Sequence, residues 1–175
     1  MSIESLVLRL HRRLEHFLHQ AKVRRLKAGL LSVGEGFQIG PGFEWLGADR
    51  ITIGKKCFIN RGSVVNGRGG LTIGDNVVFG PGVVVWTVNH DIHGGSLPFG
   101  EERIAKPVAI GDNVWLGIGV TVVPGAVIGE GAVVGAGTVV SGEVPPLQII
   151  AGQKWRTIGE RDAQHYRSIL ERSHP

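Results

Sequence analysis

One stretch of this chain concentrates side chains able to move a proton near neutral pH: Thr87-Val88-Asn89-His90-Asp91-Ile92-His93-Gly94-Gly95. Imidazole has an unperturbed pKa of about 6.5, and a positioned general base contributes about 10²–10⁴-fold to rate. His90 closes the last regular six-residue unit before a long excursion, so a rigid scaffold holds it, whereas His93 lies out on the excursion itself. Rigid placement favours His90 as the base and leaves His93 as a substrate-loop residue or nothing, with Asp91 beside it as a candidate for substrate binding. The other histidines, His11, His16, His19, His165 and His174, fall in the terminal segments. Two histidines in the body of the chain are one short of a three-histidine zinc site, and no metal is expected.

The scaffold is a repeat. From Ile110 an aliphatic residue recurs at every sixth position, as Ile110, Leu116, Val122, Ile128, Val134 and Val140. Four residues after each anchor stands a small or β-branched residue: Val114, Val120, Ala126, Ala132, Thr138 and Val144. A helix needs apolar spacing near 3.6 and a long amphipathic strand needs strict alternation; a period of six fits short strands joined by tight corners. Towards the N-terminus the anchors are Val33, Ile39, Trp45, Ile53, Ile59, Val65, Ile73, Phe79 and Val85. Grouped in threes, they give about five coils, starting near residues 33, 53, 73, 110 and 128. Two coils carry two extra residues at their third corner, and the third carries the excursion of residues 91–107 at that same corner. Insertions that share one corner are what a triangular solenoid requires, since extra residues must leave along an edge. The fold class is therefore an all-β solenoid, a parallel β-helix over residues 32–146. Cys57, four residues after Ile53, falls at an inward position and reads as core.

An open solenoid needs covers at both ends. Residues 1–31 read as a basic amphipathic helix, spanning about residues 3–30. Ile3, Val7, Leu10, Leu14, Phe17 and Ala21 form a heptad-spaced seam. Seven Lys/Arg against Glu4 and Glu15 put more than the whole net charge of +4 in this segment. Two readings stay open: a cap on the first coil or on a partner subunit, or attachment to an anionic membrane surface. Pro145-Pro146 marks the expected exit from the last coil, with a closing segment and short helix (about residues 159–172) over 147–175. The body of the chain is near neutral, so no nucleic-acid partner is expected. One cysteine fits a reducing compartment, no run of 18 apolar residues exists, and charges interrupt the N-terminal apolar residues from Arg9. A cytoplasmic location, with membrane association through residues 1–31 left open, is the expectation.

The ladder, the Asn89-His90-Asp91 turn and the run Ile110-Gly111-Asp112-Asn113-Val114-Trp115-Leu116-Gly117 resemble the hexapeptide-repeat acetyltransferases. The similarity is to the maltose, galactoside and polysaccharide O-acetyltransferase branch, over about residues 33–158. The resemblance implies a left-handed coil, a homotrimer with sites between neighbouring solenoids, and acetyl-CoA as donor. It implies that His90 deprotonates the hydroxyl of a sugar or polysaccharide precursor, which attacks the thioester directly in a ternary complex. Asn60 matches the acceptor-side asparagine of the family, while Gly67 and Arg68 stand where the family has an aspartate. On the donor side the resemblance assigns Trp115 to the pantetheine arm and Ile118, Ala136 and Ser141 to further cofactor contacts. Arg156 falls at the basic position that meets CoA phosphate. An amine acceptor needs a base as well, so N-acetylation of a nucleotide-linked amino sugar stays open as the alternative.

Overall fold

The structure, a computed structural model, describes residues 3–152 together with 164, 165, 167 and 168. Three parallel sheets form the sides of a solenoid. The first contains β1 (Ser32–Val33), β4 (Ile51–Ile53), β7 (Leu71–Ile73), β12 (Val108–Ile110), β15 (Val127–Ile128) and β18 (Glu143–Val144). The second contains β2 (Gln38–Ile39), β5 (Phe58–Ile59), β8 (Val78–Phe79), β13 (Trp115–Leu116), β16 (Val133–Val134) and β19 (Ile149–Ile150). The third contains β3 (Glu44–Leu46), β6 (Val64–Asn66), β9 (Val84–Trp86), β14 (Thr121–Val122) and β17 (Val139–Val140).

The anchors read from the sequence stack in register as columns, for example Ile53, Ile73, Ile110, Ile128 and Val144 down the first sheet. Ile59, Phe79, Leu116 and Val134 form the second column. These side chains are almost wholly buried, each contributing about 1.5–3 kcal/mol against exposure. Short strands suffice because each turn closes its hydrogen bonds on the next. The corner between the first and second sheets shows how. Asp112 Oδ1 accepts the Asp75 N–H at 2.7 Å, and Asp75 Oδ1 accepts the Lys55 N–H at 2.7 Å. Asn76 and Asn113 sit in left-handed backbone (φ 56° and 59°), and the Asn76 amide donates to Asn113 Oδ1 at 2.9 Å. Asparagine tolerates that region better than most side chains.

The solenoid has about six turns, one more than the anchor spacing indicated. Pro145-Pro146 does not end it. The two prolines occupy the corner between β18 and β19, and Leu147 N–H donates to Glu130 O at 2.8 Å. A proline's missing N–H matters only where the next coil would accept it. Here no further coil of the described residues follows, so the corner loses nothing.

The excursion after coil three is a hairpin. β10 (Val88–His90) pairs antiparallel with β11 (Arg103–Ala105), His90 opposite Arg103. The loop proper runs from 91 to 102.

Helix α1 (Ile3–Gly29) caps coil one with its C-terminal half only. Leu26 is buried there, with Val23 and Leu30 packed beside it. Lys22 Nζ donates to Phe43 O at 2.6 Å and Lys27 Nζ to Phe37 O at 3.0 Å, each ammonium also lying over the same residue's ring. Val7, Leu10, Leu14 and Phe17 of the seam are exposed. Among the described residues no helix is long and apolar enough to cross a membrane. Of the expected C-terminal helix, residues 164, 165, 167 and 168 are helical; the rest of that segment, with Lys154, Trp155 and Arg156, lies outside the described residues.

Candidate active site

His90 is the last residue of β10, exposed, where the hairpin leaves the corner between the third and first sheets. Its ring stacks on Phe99, with centroids 3.8 Å apart and planes 29° from parallel, so the imidazole's orientation is fixed by the far side of its own loop. The Asn89 side chain accepts the His90 backbone N–H at 2.9 Å, which leaves the ring nitrogens out of that turn. Asp91 is turned to the loop's internal order: its Oδ1 accepts the His93 N–H at 2.8 Å and its carbonyl accepts the Gly100 N–H at 2.7 Å. His93 is exposed and stays on the loop.

A cavity of about 180 Å³ opens at His90, lined by Leu46, Asn66, Arg68, Trp86, Val88, Asn89, His90 and Arg103. Its back is built by hydrogen bonds. The buried Thr87 hydroxyl donates to Asn66 O at 2.7 Å, and Gly69 N–H donates to Thr87 Oγ1 at 2.7 Å. A Cβ at Gly69 would come 2.0 Å from Thr87 O, so only glycine allows the chain to pass here.

The remaining expected residues lie elsewhere. Asn60 is at the corner between the second and third sheets, where its Oδ1 accepts the Arg61 N–H at 2.8 Å; its amide group is not used in that turn. Ile118 and Ala136 occupy the same corner two and three coils further on, both exposed. A shallow groove of about 600 Å³ runs along it, lined by Pro41, Arg61, Pro81, Ile118 and the glycines between. Trp115 is 55 % exposed on the second sheet. Ser141 is exposed after β17, at the same corner of the triangle as His90. One chain therefore gathers His90 and Ser141 at one corner and Asn60, Ile118 and Ala136 at another, with the third sheet between them. At about 3.3 Å per strand residue, the width of that sheet exceeds any hydrogen bond.

Sequence reasoning missed Phe99, Asn66, Trp86 and Arg103. Arg103 faces His90 only through hairpin pairing across a twelve-residue loop, and Phe99 reaches the ring only once that loop folds back. Asn66 and Trp86 were visible as adjacent residues of one column, in register on β6 and β9.

A solenoid bearing an imidazole and a small cavity on one corner and an apolar groove along the next is an arrangement suited to group transfer, and comparison with known proteins identifies the family. The bacterial transferase hexapeptide model (six repeats) matches residues 107–142, and the model of the hexapeptide repeat of succinyl-transferase matches residues 50–86. Galactoside O-acetyltransferase of Escherichia coli (strain K12) is 33% identical over 144 residues, 81% of this chain and 70% of that protein. Nodulation protein L of Rhizobium meliloti (strain 1021) is 40% identical over 134 residues, 77% and 73% of the two chains. The structure of a hexapeptide-repeat acetyltransferase from Vibrio cholerae O1 biovar eltor, complexed with acetyl coenzyme A, superposes with a TM-score of 0.69, at 30% identity and covering 91% of each chain. The chain belongs to the hexapeptide-repeat acetyltransferases.

Proposed function

We propose that the protein transfers an acetyl group from acetyl-CoA to a hydroxyl of a sugar or polysaccharide precursor, with His90 as general base in a ternary complex. The observation that carries this reading is an imidazole braced by Phe99, with its ring nitrogens free of the local turn, at the mouth of a polar cavity. A ring nitrogen of His90 takes the acceptor's hydroxyl proton, and the oxygen attacks the thioester carbonyl. The carbon–sulfur bond then breaks, and the imidazolium returns the proton to the departing CoA thiolate. Oxygen rather than nitrogen as acceptor atom is favoured by the named activity of the Escherichia coli relative.

The residues present suit CoA. The groove at the second corner is apolar apart from Arg61, and Trp115 and Ile118 project from the surface beside it, as an extended pantetheine arm would need. Trp115, Ile118, Ala136 and Ser141 would hold the donor, with Arg156 on a phosphate. Acetyl-CoA supplies the activated acyl carbon; the chain supplies base and orientation. Because the two corners are apart within one chain, a complete site takes its parts from two neighbouring copies, and we assign the working form as a homotrimer.

We further propose that the exposed half of α1 rests on an anionic lipid surface. At 3.6 residues per turn, Leu6, Val7, Leu10, Leu14, Phe17 and Leu18 share one side of the helix, roughly opposite the docked Val23, Leu26 and Leu30. The cap function therefore leaves this stripe unused. Arg13 and Arg24 lie on the stripe's side, the charge that anionic headgroups attract, while Arg25 lines the recess between the helix and coil one.

The test of the catalytic reading is His90→Ala in a free-thiol release assay with acetyl-CoA and a panel of sugar acceptors. The expected result is a loss of about 10²–10⁴-fold in turnover with CoA binding retained. Turnover at the level of the unmodified protein would overturn His90 as base.

A further inference from the structure

The cavity at His90 carries two arginines that the acetyl-transfer chemistry does not use. Arg68 comes from the connection between β6 and β7, and Arg103 from β11, directly across the hairpin from His90. Among the described residues no carboxylate lines the cavity, and the only ion pair joins His11 to Glu15, far off on α1. Both arginines are thus exposed residues of the cavity lining with no carboxylate of the described residues paired to them.

Arg68 is held in place. Its backbone N–H donates to Asn66 Oδ1 at 3.3 Å, and its carbonyl accepts from Arg50 Nη1 at 3.1 Å. On either side stand tightly packed glycines: a Cβ at Gly67 would come 2.4 Å from Ile51 Cγ1 and force that side chain to shift, and one at Gly69 would strike Thr87 O. This backbone is specified, and what it displays is a cation.

We infer that the acceptor carries an anionic group, a carboxylate or a phosphate, bound by Arg68 and Arg103 while its hydroxyl meets His90; this rests on the reading of His90 as the base. A planar guanidinium binds either anion through paired, charge-assisted hydrogen bonds. The cavity holds about six water-sized groups, taking about 30 Å³ for each, so an anion at the arginines lies within one sugar ring of the imidazole. Trp86 and Leu46 give that ring an apolar wall. The phosphates of CoA are the competing source of negative charge. With the thioester at His90, however, the length of the pantetheine arm carries those phosphates out of so small a cavity.

The experiment measures acetyl transfer from acetyl-CoA to matched acceptors: methyl glucuronide against methyl glucoside, methyl galacturonide against methyl galactoside, and glucose 1-phosphate against glucose. It is run on the full chain and on Arg68→Gln, Arg103→Gln and Arg68→Lys, with acceptor binding followed in parallel by ligand-observed NMR. In at least one pair the anionic member is expected to be preferred by tenfold or more in kcat/KM. Each glutamine variant should cut that preference by about tenfold, through KM, with lysine restoring part of it. High salt should weaken it as well. The carboxylate and phosphate arms say which anion is meant. A purely structural role for Arg68 would lower both members of a pair alike and leave their ratio intact, which would overturn the inference. Equal or better use of every neutral acceptor would overturn it too while leaving His90's role standing. A variant that raises KM for acetyl-CoA but not the acceptor ratio would give the arginines to the donor and sink the proposal. Arginine-dependent binding of an anionic acceptor without any thiol release would uphold it and remove the catalytic reading instead.

Discussion

Cys57 has a nucleophile's chemistry and a core residue's surroundings. It has no solvent exposure, and its Sγ donates to Gly74 O at 3.0 Å. Burial pushes the thiol's pKa up, with the charges of Asp75 and Asp112 adding to the effect and backbone hydrogen bonds from Val77 and Asn76 opposing it. A raised pKa means the thiolate, the reactive form, is disfavoured throughout the range where a free cysteine begins to ionise. The native protein is therefore expected to show no thiol reactive toward Ellman's reagent at mildly alkaline pH, and one per chain after denaturation in guanidinium. Rapid labelling of the folded chain would contradict this. His90 is the opposite case, a side chain of ordinary type given a role by its neighbours. Its position at the end of a repeat was legible from spacing, because the ladder breaks visibly after it. The partners that give it a setting were not: Phe99 and Arg103 lie nine and thirteen positions on, in a stretch with neither helical nor alternating periodicity.

Among the elements, α1 divides its length between two tasks. Residues 19–30 cap coil one, while the apolar stripe from Leu6 to Leu18 is exposed among the described residues. Each arginine near an anionic bilayer is worth about 1 kcal/mol. The full protein should accordingly sediment with phosphatidylglycerol-containing vesicles at low salt and not with phosphatidylcholine vesicles. Leu14→Asp with Phe17→Asp should abolish that binding while leaving the cap, and hence the melting temperature, little changed. If instead the double variant lowers the oligomeric mass and vesicle binding was never present, the stripe is a contact between copies and the lipid proposal falls. The heptad pattern in the sequence showed that a stripe exists but could not say what it faces, since a cap, a coiled coil and a lipid surface all ask for the same periodicity. The corners tell a similar story. The run from Ile110 to Asn113 reads as a signature because Asp112 and Asn113 perform corner chemistry, accepting a backbone N–H and holding left-handed backbone. Pro145-Pro146 misled because proline's cost depends on whether another coil needs its N–H, a fact of stacking order that no local spacing records. Thr138 marks one place where the inward column is imperfect: its hydroxyl is buried without a partner among the described residues.

For the molecule as a whole, the decisive fact is that the expected acceptor and donor residues lie on two corners of one triangle. The third sheet separates His90 from Asn60, Ile118 and Ala136, and no rotation of side chains crosses it. The proposed closed ring of three copies would resolve this, because each interface can set the His90 corner of one solenoid against the neighbouring corner of the next. The arrangement makes a sharp prediction about mixed assemblies. One chain carries His90→Ala; a second carries Asn60→Ala and Trp115→Ala; each alone should be nearly inactive and sediment as a trimer. Co-expressed in equal amounts, they assemble at random. About one interface in four then pairs an intact His90 corner, from the second chain, with an intact Asn60 and Trp115 surface, from the first. Activity should return to about a quarter of that of the unaltered protein, measured as thiol release per trimer. If every residue of the site came from one chain, no mixture would contain a complete site and activity would stay at the level of the separate variants. The ratio of recovered to unaltered activity thus reports where the site is built, independently of which acceptor the protein uses.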